Sequence, residues 1–276
     1  MKIAIQGFEA SFHSIAAKSL YGNSAELLFC KNFKEVFSSL ENNNCDQAVV
    51  AIENSLYGSI NQVYDLLIKH DLSITGEVYE QVGLHLLAAK GANLHSITDV
   101  YSQAPALGES EVFLDTYLPD AERHEHPDTA LAAKEVAAWG LSTHAAIASE
   151  AAASYYHLEV ISRSIETHHQ NYTRFISLSK TNKVGNAANK TSLTFRTADT
   201  PGSLYAVLGL FANHSINLTK LESRPIIGEA WRYMYYIDFN QGVTHINTKQ
   251  VLNELPKYAT EIRILGSYQV GIFEKS

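Results

Sequence analysis

An unbroken apolar run, AVVAI at residues 48–52, is the feature of this sequence that most limits its fold. A strand with apolar side chains on both faces must be buried on both faces, which is typical of strands inside parallel sheets covered by helices. The polar residues Glu53, Asn54 and Ser55 follow the run directly. The sequence therefore predicts an α/β layer structure in which these three side chains lie at the carboxyl end of a buried strand.

The same order of strand, hydroxyl-bearing turn and helix recurs through the first part of the chain. KIAIQG at 2–7 precedes a helical pattern that begins near Ser11, and DVYS at 99–102 ends at Ser102 before another helix. Such repeats predict a mostly parallel sheet divided into two lobes. Ligands of open α/β sheets bind beyond the carboxyl ends of the strands, so these serines and the residues after AVVAI are candidates for one cleft. Each of them, taken alone, is equally well explained as a helix cap or a turn residue.

Glu109 and the segment HHQNYTRFISLS at 168–179 add further candidates. Glu109 lies about one turn into the helix after the DVYS strand, so it could face the same cleft, although most helix carboxylates are simply solvated. In the alternation that ends the segment, Thr173 and Phe175 share one face and Arg174 points to the other. A hydroxyl beside an aromatic wall suits chemistry on a small molecule, but an ordinary edge strand could carry the same side chains without a function.

The composition changes around residue 180, where SKTNKVGNAANK is typical of a polar linker. The patterns after it follow the order strand, helix, strand, strand, helix, strand, which is that of a ferredoxin-like domain. This order does not define a function by itself. It predicts a further domain, separate from the two lobes.

The composition argues against several classes of protein. The chain has 276 residues, of which 46% are hydrophobic and 18% charged, so it is long enough for two hydrophobic cores. Its net charge of -8 argues against a general nucleic-acid binder, and no apolar run approaches the length of a membrane span. Cys30 and Cys45 lack a metal-ligand spacing and are expected to be free thiols. Because Met1 leads directly into the first strand without a signal-peptide pattern, we expect a cytoplasmic protein.

Sequence signatures of metal and nucleotide sites are not found. His124 and His126 lie in a polar turn, and His168 and His169 are adjacent, so neither pair forms a helical metal-binding face. The first strand ends in Gly7 followed by two non-glycine residues, which does not match a glycine-rich phosphate loop. We therefore expect no metal site, and neither a dinucleotide-binding nor a P-loop fingerprint is present after the first strand.

Five motifs occur in a fixed order along nearly the whole chain. They are AIENSLYGSINQVYDLL at 51–67, VYSQAPALGES at 100–110, DTALAAKEVA at 128–137, NYTRF at 171–175 and ESRP at 222–225. In this combination the sequence resembles prephenate dehydratases that end in an ACT regulatory domain. The resemblance implies a catalytic region at 1–180, similar to the type 2 periplasmic-binding-protein fold, and an ACT domain at 190–276. Its two lobes are expected at about 1–75 plus 165–180 and at 76–164.

The resemblance implies the decarboxylating dehydration of prephenate to phenylpyruvate in L-phenylalanine biosynthesis, a reaction without a cofactor. It gives Thr173 the role of assisting the departure of the ring hydroxyl. An aliphatic hydroxyl is too weak an acid to ionise, so we expect Thr173 to donate a hydrogen bond. The other predicted catalytic residues are Glu53, Asn54, Ser102 and Glu109. The predicted substrate-binding residues are Ser11, Ser55, Arg174 and Phe175. Because Arg174 points away from Thr173, we expect it to act through an orienting ion pair.

The same resemblance implies regulation by the C-terminal domain. PGSL at 201–204 and ESRP at 222–225 are similar to amino-acid-binding motifs of ACT domains, which bind L-phenylalanine between paired domains. The residues expected to bind this effector are Gly202, Ser203, Leu204, Glu222, Ser223, Arg224 and Pro225. Feedback inhibition and a homodimer or homotetramer are implied, because such a domain has an edge strand that needs covering. Taken alone, ESRP is equally well explained as the end of a strand.

Three residues depart from the family pattern. Gln103 stands where the family often has histidine, Glu109 where it has a pocket glutamine, and Ala10 where glycine is common. A carboxylate is unfavourable beside a dianionic substrate, so we expect Glu109 to be protonated when substrate binds and to donate a hydrogen bond. Two alternatives stay open. One is an arogenate dehydratase, whose substrate carries an amine in place of the keto oxygen, and the other is a noncatalytic amino-acid or metabolite sensor.

Overall fold

The first sheet contains the predicted doubly buried strand. The computed structural model describes residues 1–181 and 187–272. The strands of this sheet are β1 Lys2–Gln6, β2 Glu26–Cys30, β3 Gln47–Asn54, β4 Gly58–Ser59, β5 Ser73–Gln81 and β11 Tyr172–Ser179. The helices beside it are α1 Phe12–Tyr21, α2 Phe33–Glu41 and α3 Asn61–Lys69. All residues from Ala48 to Ile52 in β3 are buried, as the apolar run predicts.

The strand order brings the beginning of β11 beside the end of β3. The order is β2-β1-β3-β11-β5, with the short β4 paired to β3. Strands β1, β2 and β3 run parallel, whereas β11 runs antiparallel to both of its neighbours. In this register Thr173 lies opposite Asn54, and Arg174 lies opposite Glu53. Two motifs that are far apart in the sequence therefore meet on adjacent strands.

The second sheet forms the other lobe. Its strands are β6 His85–Ala88, β7 Asp99–Ser102, β8 Glu122–Glu125, β9 His144–Ala148 and β10 Glu159–Ser162, in the order β10-β6-β9-β7-β8. The helices around it are α4 Ala104–Glu109, α5 Glu111–Tyr117, α6 Thr129–Trp139 and α7 Glu150–Tyr156, with a single 3₁₀ turn at Leu94–Ser96. The predicted lobe boundary between residues 75 and 76 needs a correction, because β5 pairs with β11 as far as Gln81 and so belongs to the first sheet.

The third sheet has the predicted ferredoxin-like order. Its elements are β12 Lys190–Arg196, α8 Ser203–Asn213, β13 Leu218–Pro225, β14 Tyr233–Phe239, α9 Ile246–Glu254, a 3₁₀ turn at Leu255–Lys257 and β15 Thr260–Tyr268. The antiparallel strands lie in the order β13-β14-β12-β15, which leaves β13 at one edge. The predicted fold class, a two-lobed α/β region followed by a βαββαβ domain, is confirmed. Part of the predicted linker, 182–186, lies outside the described residues. None of the described helices is long and apolar enough to cross a membrane.

The C-terminal domain packs closely against the first lobe. Gly266 of β15 lies so near to β5 that a Cβ on this residue would be 2.0 Å from the carbonyl oxygen of Ile74. Met234 and Leu265 of the C-terminal domain share one hydrophobic cluster with Ile74 and Leu72 of the first lobe. The core of the first lobe therefore continues into the C-terminal domain.

Candidate active site

A cavity of about 390 Å³ lies between the two lobes. The first lobe contributes to its lining the side chains of His13, Asn54, Tyr57, Asn171, Thr173 and Phe175. The second lobe contributes Gln103, Pro105, Glu109, Asp128 and Thr129. Among the described residues that line the cavity there is neither a lysine nor an arginine. An anionic ligand would therefore be bound by neutral donors and by the N-termini of helices.

Asn54 fixes the position of the Thr173 hydroxyl. The Oδ1 atom of Asn54 accepts hydrogen bonds from the backbone N–H groups of Leu56 and Tyr57, each at 2.9 Å. These two donors orient the amide so that its Nδ2 donates to Thr173 Oγ1 at 3.0 Å and to Asn171 Oδ1 at 2.6 Å. Because Thr173 Oγ1 accepts from Asn54, the hydroxyl proton of Thr173 can point to a ligand in the cavity.

Phe175 and His13 form the aromatic wall beside Thr173. Phe175 is buried, and its ring meets the His13 ring edge to face at a centroid distance of 5.1 Å. His13 Nε2 accepts the backbone N–H of Ala51 at 3.2 Å, so the proton of the neutral ring is on Nδ1. Burial lowers the pKa of His13 to about 4. At neutral pH this wall is therefore uncharged.

Two carboxylates, Glu109 and Asp128, enter the cavity from the second lobe. Glu109 is only 8% exposed, and its Oε2 atom has no hydrogen-bond partner among the described residues. Asp128 caps α6, since its Oδ1 accepts the N–H groups of Ala130 and Leu131 at 2.8 and 3.0 Å. Burial raises the pKa of Asp128, an effect that these two hydrogen bonds partly offset. Glu109 is thus the buried polar group with an unused oxygen at the site.

Tyr57 links the two lobes at this cavity. Its hydroxyl donates to the backbone carbonyl of Pro105 in α4 at 3.0 Å. Burial raises the pKa of Tyr57, and the nearby Glu109 carboxylate adds to this effect. Tyr57 as a whole remains half exposed, at 54%. A neutral tyrosine hydroxyl therefore bridges the lobes beside Glu109.

Three predicted site residues lie in the first lobe but outside the cavity lining. The carboxylate of Glu53 pairs with Lys220 Nζ of β13 at 2.6 Å. The hydroxyl of Ser55 accepts the backbone N–H of Tyr172 at 2.9 Å, which ties the end of β3 to β11. Ser11 caps α1, where its Oγ accepts the N–H of Ser14. These contacts are structural, and the predicted catalytic and binding roles of the three residues stay predictions.

Two more predicted residues also point away from the cavity. The Ser102 hydroxyl is fully buried and donates to the carbonyl of Ile147 at 2.6 Å, joining β7 to β9. Arg174 pairs with Glu77 at 2.7 Å and with Asp238 at 2.5 Å, behind the sheet. This placement agrees with the expected ion pair, and the predicted substrate-binding role of Arg174 and the predicted catalytic role of Ser102 stay predictions. The structure thus brings Thr173, Asn54, Glu109 and Phe175 together at the cavity.

The lining residues that were not predicted as site residues include four whose contacts are described above: His13, Tyr57, Asp128 and Asn171. Three of them lie within the motifs already quoted, because Tyr57 follows IENS, Asp128 begins DTALAAKEVA, and Asn171 begins NYTRF. Position within a motif could have identified these three. His13 has no comparable signal, because a histidine in an amphipathic helix is more often a packing residue.

A second cavity, of about 260 Å³, lies in the C-terminal domain. Its lining includes Gly202, Ser203 and Leu204, together with Trp231. The other predicted effector residues, Glu222 to Pro225, are not part of this lining. Glu222 and Arg224 instead contact the first lobe. The two predicted effector motifs therefore lie at separate places within one chain.

One group of metal-ligand side chains lies away from the active-site cavity. Ligand atoms of Asp99, Glu122 and His124 are within 4.8 Å of one another on β7 and β8. His124 Nε2 already forms a hydrogen bond with Asp99 Oδ1 at 2.8 Å, and Glu122 is exposed. This hydrogen bond between β7 and β8 explains why the three side chains lie together.

Fold and site together define a two-lobed α/β enzyme that is joined to a ferredoxin-like regulatory domain. The profile of the prephenate dehydratase family matches residues 3–183, and that of the ACT domain matches residues 191–255. The chain is 38% identical over 281 residues to an Arabidopsis thaliana protein named arogenate dehydratase/prephenate dehydratase 2, covering 98% of this chain and 73% of the relative. The chain therefore belongs to the prephenate dehydratase family of lyases.

Two solved structures resemble nearly the whole chain. GqqA, described as a novel type of quorum-quenching acylase, aligns with a TM-score of 0.89 and 27% identity over 98% of each chain. The prephenate dehydratase of Arthrobacter aurescens in complex with L-Phe aligns with a TM-score of 0.89 and 26% identity, covering 97% of this chain and 90% of that chain. The first protein shows that this architecture is also associated with a different named activity.

Proposed function

We propose that this protein converts prephenate to phenylpyruvate in the cavity around Thr173. The observation that carries this proposal is the hydrogen bond from Asn54 Nδ2 to Thr173 Oγ1 at 3.0 Å. It occupies the oxygen of the hydroxyl as an acceptor and leaves its proton for a departing group. Asn54 is itself held by two backbone donors, so the geometry is set before the substrate arrives.

The reaction needs little from the protein except positioning and one hydrogen-bond donor. The bond from the ring to its carboxylate breaks, carbon dioxide leaves, and the electron pair enters the ring. The bond between the ring and its hydroxyl group breaks with the electron pair leaving on the oxygen, and this oxygen takes a proton to become water. Thr173 assists by donating a hydrogen bond to that oxygen, and the proton that completes the water molecule comes from solvent, so the Thr173 hydroxyl does not ionise. Formation of the aromatic ring supplies the driving force.

The uncharged wall of the cavity suits the loss of carbon dioxide. A lysine or arginine bound to the departing carboxylate would stabilise the substrate more than the transition state. Phe175 and neutral His13 offer no such charge. The other substrate carboxylate is expected to bind at helix N-termini, which carry partial positive charge. Phe12, Ile60 and Thr129, at the starts of α1, α3 and α6, line the cavity.

Formation of phenylpyruvate from prephenate by the purified protein tests this proposal. The same assay with arogenate distinguishes the two dehydratase activities in the name of the Arabidopsis relative. We expect prephenate to be the better substrate, because the chain matches the prephenate dehydratase family over residues 3–183. A higher kcat/KM for arogenate would reverse this assignment. A protein that binds either compound without turnover would instead be the sensor.

An acylase activity, as in the description of GqqA, is the weaker candidate. A hydrolytic threonine needs a general base that removes its proton. Asn54, the side chain bonded to Thr173 Oγ1, acts as a donor and cannot take that role. We therefore expect no release of the acyl group from an acylated quorum-sensing compound under conditions that support dehydration.

We further propose that L-phenylalanine regulates the enzyme in a homo-oligomer. The cavity beside Gly202 to Leu204 and the strand β13 with Glu222 to Pro225 are separate in one chain, so a second copy could unite the two motifs. The edge position of β13 leaves it available for such a contact. Sedimentation of the protein with and without L-phenylalanine, beside inhibition measurements, tests both parts. A monomer that is inhibited by L-phenylalanine would contradict the shared site.

A further inference from the structure

Strand β13 presents alternate side chains to the catalytic region. Lys220, Glu222 and Arg224 are partly buried and contact the first lobe, while Leu221 and Ser223 between them are exposed. This is the two-residue alternation of a strand with one covered face. Two residues of the predicted effector motif ESRP, Glu222 and Arg224, therefore lie on the face of the strand that contacts the first lobe.

Lys220 makes two short contacts with the hairpin formed by β3 and β4. Its Nζ lies 2.6 Å from Glu53 Oε1 and 2.7 Å from Ser59 Oγ. Ser59 in turn donates to Glu222 Oε2 at 2.5 Å. Glu53 and Ser59 lie opposite each other in the hairpin, so the ammonium of Lys220 joins its two strands. The Lys220 side chain is only 14% exposed, which limits the screening of this contact by solvent.

The same hairpin holds the residue that orients Thr173. Asn54 follows Glu53 directly and lies opposite Gly58, which precedes Ser59. The turn between the strands supplies the N–H groups of Leu56 and Tyr57, which fix the Asn54 amide. A shift of either strand would change the direction of Nδ2 and the position of Thr173 Oγ1. Lys220 therefore contacts Glu53, which precedes Asn54 on β3, and Ser59, which follows Gly58 on β4.

We infer that Lys220 is a positioning residue, which holds the β3–β4 hairpin so that Asn54 orients Thr173. Glu53 is then the hairpin's partner for Lys220 and does not act on the substrate. Because Lys220 and Glu222 lie on the strand that carries ESRP, a change at the effector site reaches Asn54 through the same contacts. The kinetic part of this inference rests on the proposed dehydratase function.

Steady-state kinetics of Lys220→Met measure the effect on catalysis. Methionine keeps the length and apolar part of the side chain and removes the ammonium. We expect kcat to fall about tenfold and KM to change less than twofold, because small misplacements of catalytic groups mainly affect the transition state. Maximal inhibition by L-phenylalanine should also decrease. Unchanged kcat and inhibition would overturn the inference.

Two matched variants separate positioning from domain docking. Lys249→Met removes an exposed lysine of α9 and should behave like the wild type. Arg263→Met removes a guanidinium that donates to the carbonyls of Leu67, His70 and Leu72, a contact between the domains away from the hairpin. It should lower stability and leave kcat within twofold of the wild type. If Arg263→Met lowers kcat as much as Lys220→Met, docking explains the loss and the inference fails.

A double-mutant cycle with Glu53→Gln tests the assignment of Glu53. If Glu53 acts only through Lys220, the second substitution adds little to the first, so the double variant has nearly the kcat of a single one. If Glu53 contacts the substrate independently, the two losses multiply. Multiplied losses would contradict the assignment of Glu53.

Hydrogen exchange gives a readout that needs no turnover. The amides of Leu56 and Tyr57 are protected by Asn54 Oδ1, so Lys220→Met should increase their exchange rates severalfold without added ligand. Lys249→Met should leave these rates unchanged. Exchange as slow in Lys220→Met as in the wild type would overturn the inference even if the wild type proved to have no dehydratase activity.

Discussion

Thr173 and Arg174 are neighbours on β11, yet their side chains serve opposite sides of the sheet. Thr173 Oγ1 lies in the cavity, 3.0 Å from Asn54 Nδ2. Arg174 Nε lies 2.7 Å from Glu77, and its Nη1 lies 2.5 Å from Asp238 of the C-terminal domain. One strand thus presents the proposed hydrogen-bond donor on one face and a contact with the regulatory domain on the other.

Replacing Thr173 by valine keeps its shape and removes the hydroxyl. We expect kcat for phenylpyruvate formation to fall about 10²- to 10³-fold, as for the loss of one preorganised donor at a transition state. Thr173→Ser, which keeps the hydroxyl, is the control and should retain most of the rate. Substrate binding, measured by calorimetry, should change little in either variant. A valine variant with the wild-type kcat would exclude a role for the hydroxyl.

Removing the Arg174 guanidinium leaves buried carboxylates with fewer partners. Arg174 is 5% exposed and bonds to Glu77, Asp238 and the Tyr268 hydroxyl. Breaking a buried ion pair on one side typically lowers stability by about 3–5 kcal/mol. We expect Arg174→Met to lower the free energy of unfolding by about this amount, as measured in urea.

Arg163→Met is the matched control for this prediction. Its pair with Glu150 is exposed, with 61% and 56% of the two side chains accessible. Exposed pairs contribute little to stability because solvent screens their charges, so this variant should unfold nearly as the wild type does. Similar losses of unfolding free energy in the two variants would show that burial does not give the Arg174 ion pairs a larger effect on stability than exposed pairs have.

The alternation of strands explains why part of the site could be predicted from the sequence. It placed Thr173 and Phe175 on one face and Arg174 on the other, and both placements hold in the structure. The apolar run before Glu53 likewise predicted a buried strand with polar residues at its end. Such local rules give the face of a side chain but not its partner.

Contacts between distant residues explain what could not be predicted. Glu53 follows the buried strand as a cleft residue would, but its carboxylate meets Lys220 from another domain. Ser102 ends its strand at the expected place, yet its hydroxyl is used by the carbonyl of Ile147 on a neighbouring strand. Neither partner is visible in the local pattern. The sequence therefore located the strand ends correctly without showing which side chains would reach the cavity.

Glu109 gives a prediction that is specific to this chain. Its Oε2 atom is buried and has no hydrogen-bond partner among the described residues, so a ligand in the cavity is expected to bond to it. Glu109→Ala removes this group and should raise KM for prephenate several-fold, whereas Glu109→Gln keeps a side chain that can donate a hydrogen bond and should retain most of the binding. Steady-state kinetics of both variants test this. An unchanged KM in Glu109→Ala would exclude the proposed role.

Gly266 should be essential for docking of the C-terminal domain. Alanine at this position would place its Cβ 2.0 Å from the Ile74 carbonyl oxygen, so the strands must separate. We expect Gly266→Ala to lower the unfolding midpoint and to expose the interface to protease.

Gly209→Ala, within α8, is the control for this prediction, because the added Cβ meets no atom within 4 Å. That variant should be more stable by up to about 1 kcal/mol, because alanine favours helix. Equal stability of the two variants would contradict the close approach of β15 to β5.

His13 predicts how stability depends on pH. In the unfolded chain a histidine binds its proton near the ordinary pKa of 6.5, whereas burial lowers the folded-state pKa of His13 to about 4. Between these values the unfolded state binds more protons, so stability falls as the pH decreases from 6.5 to 4. The loss is at most roughly 3 kcal/mol, at 1.36 kcal/mol for each pKa unit.

His13→Gln tests this pH dependence. The glutamine keeps an acceptor for the Ala51 N–H and does not titrate, so the unfolding free energy of this variant should fall less between pH 6.5 and pH 4. Parallel pH curves for the two proteins in urea would show that His13 is not a buried neutral histidine.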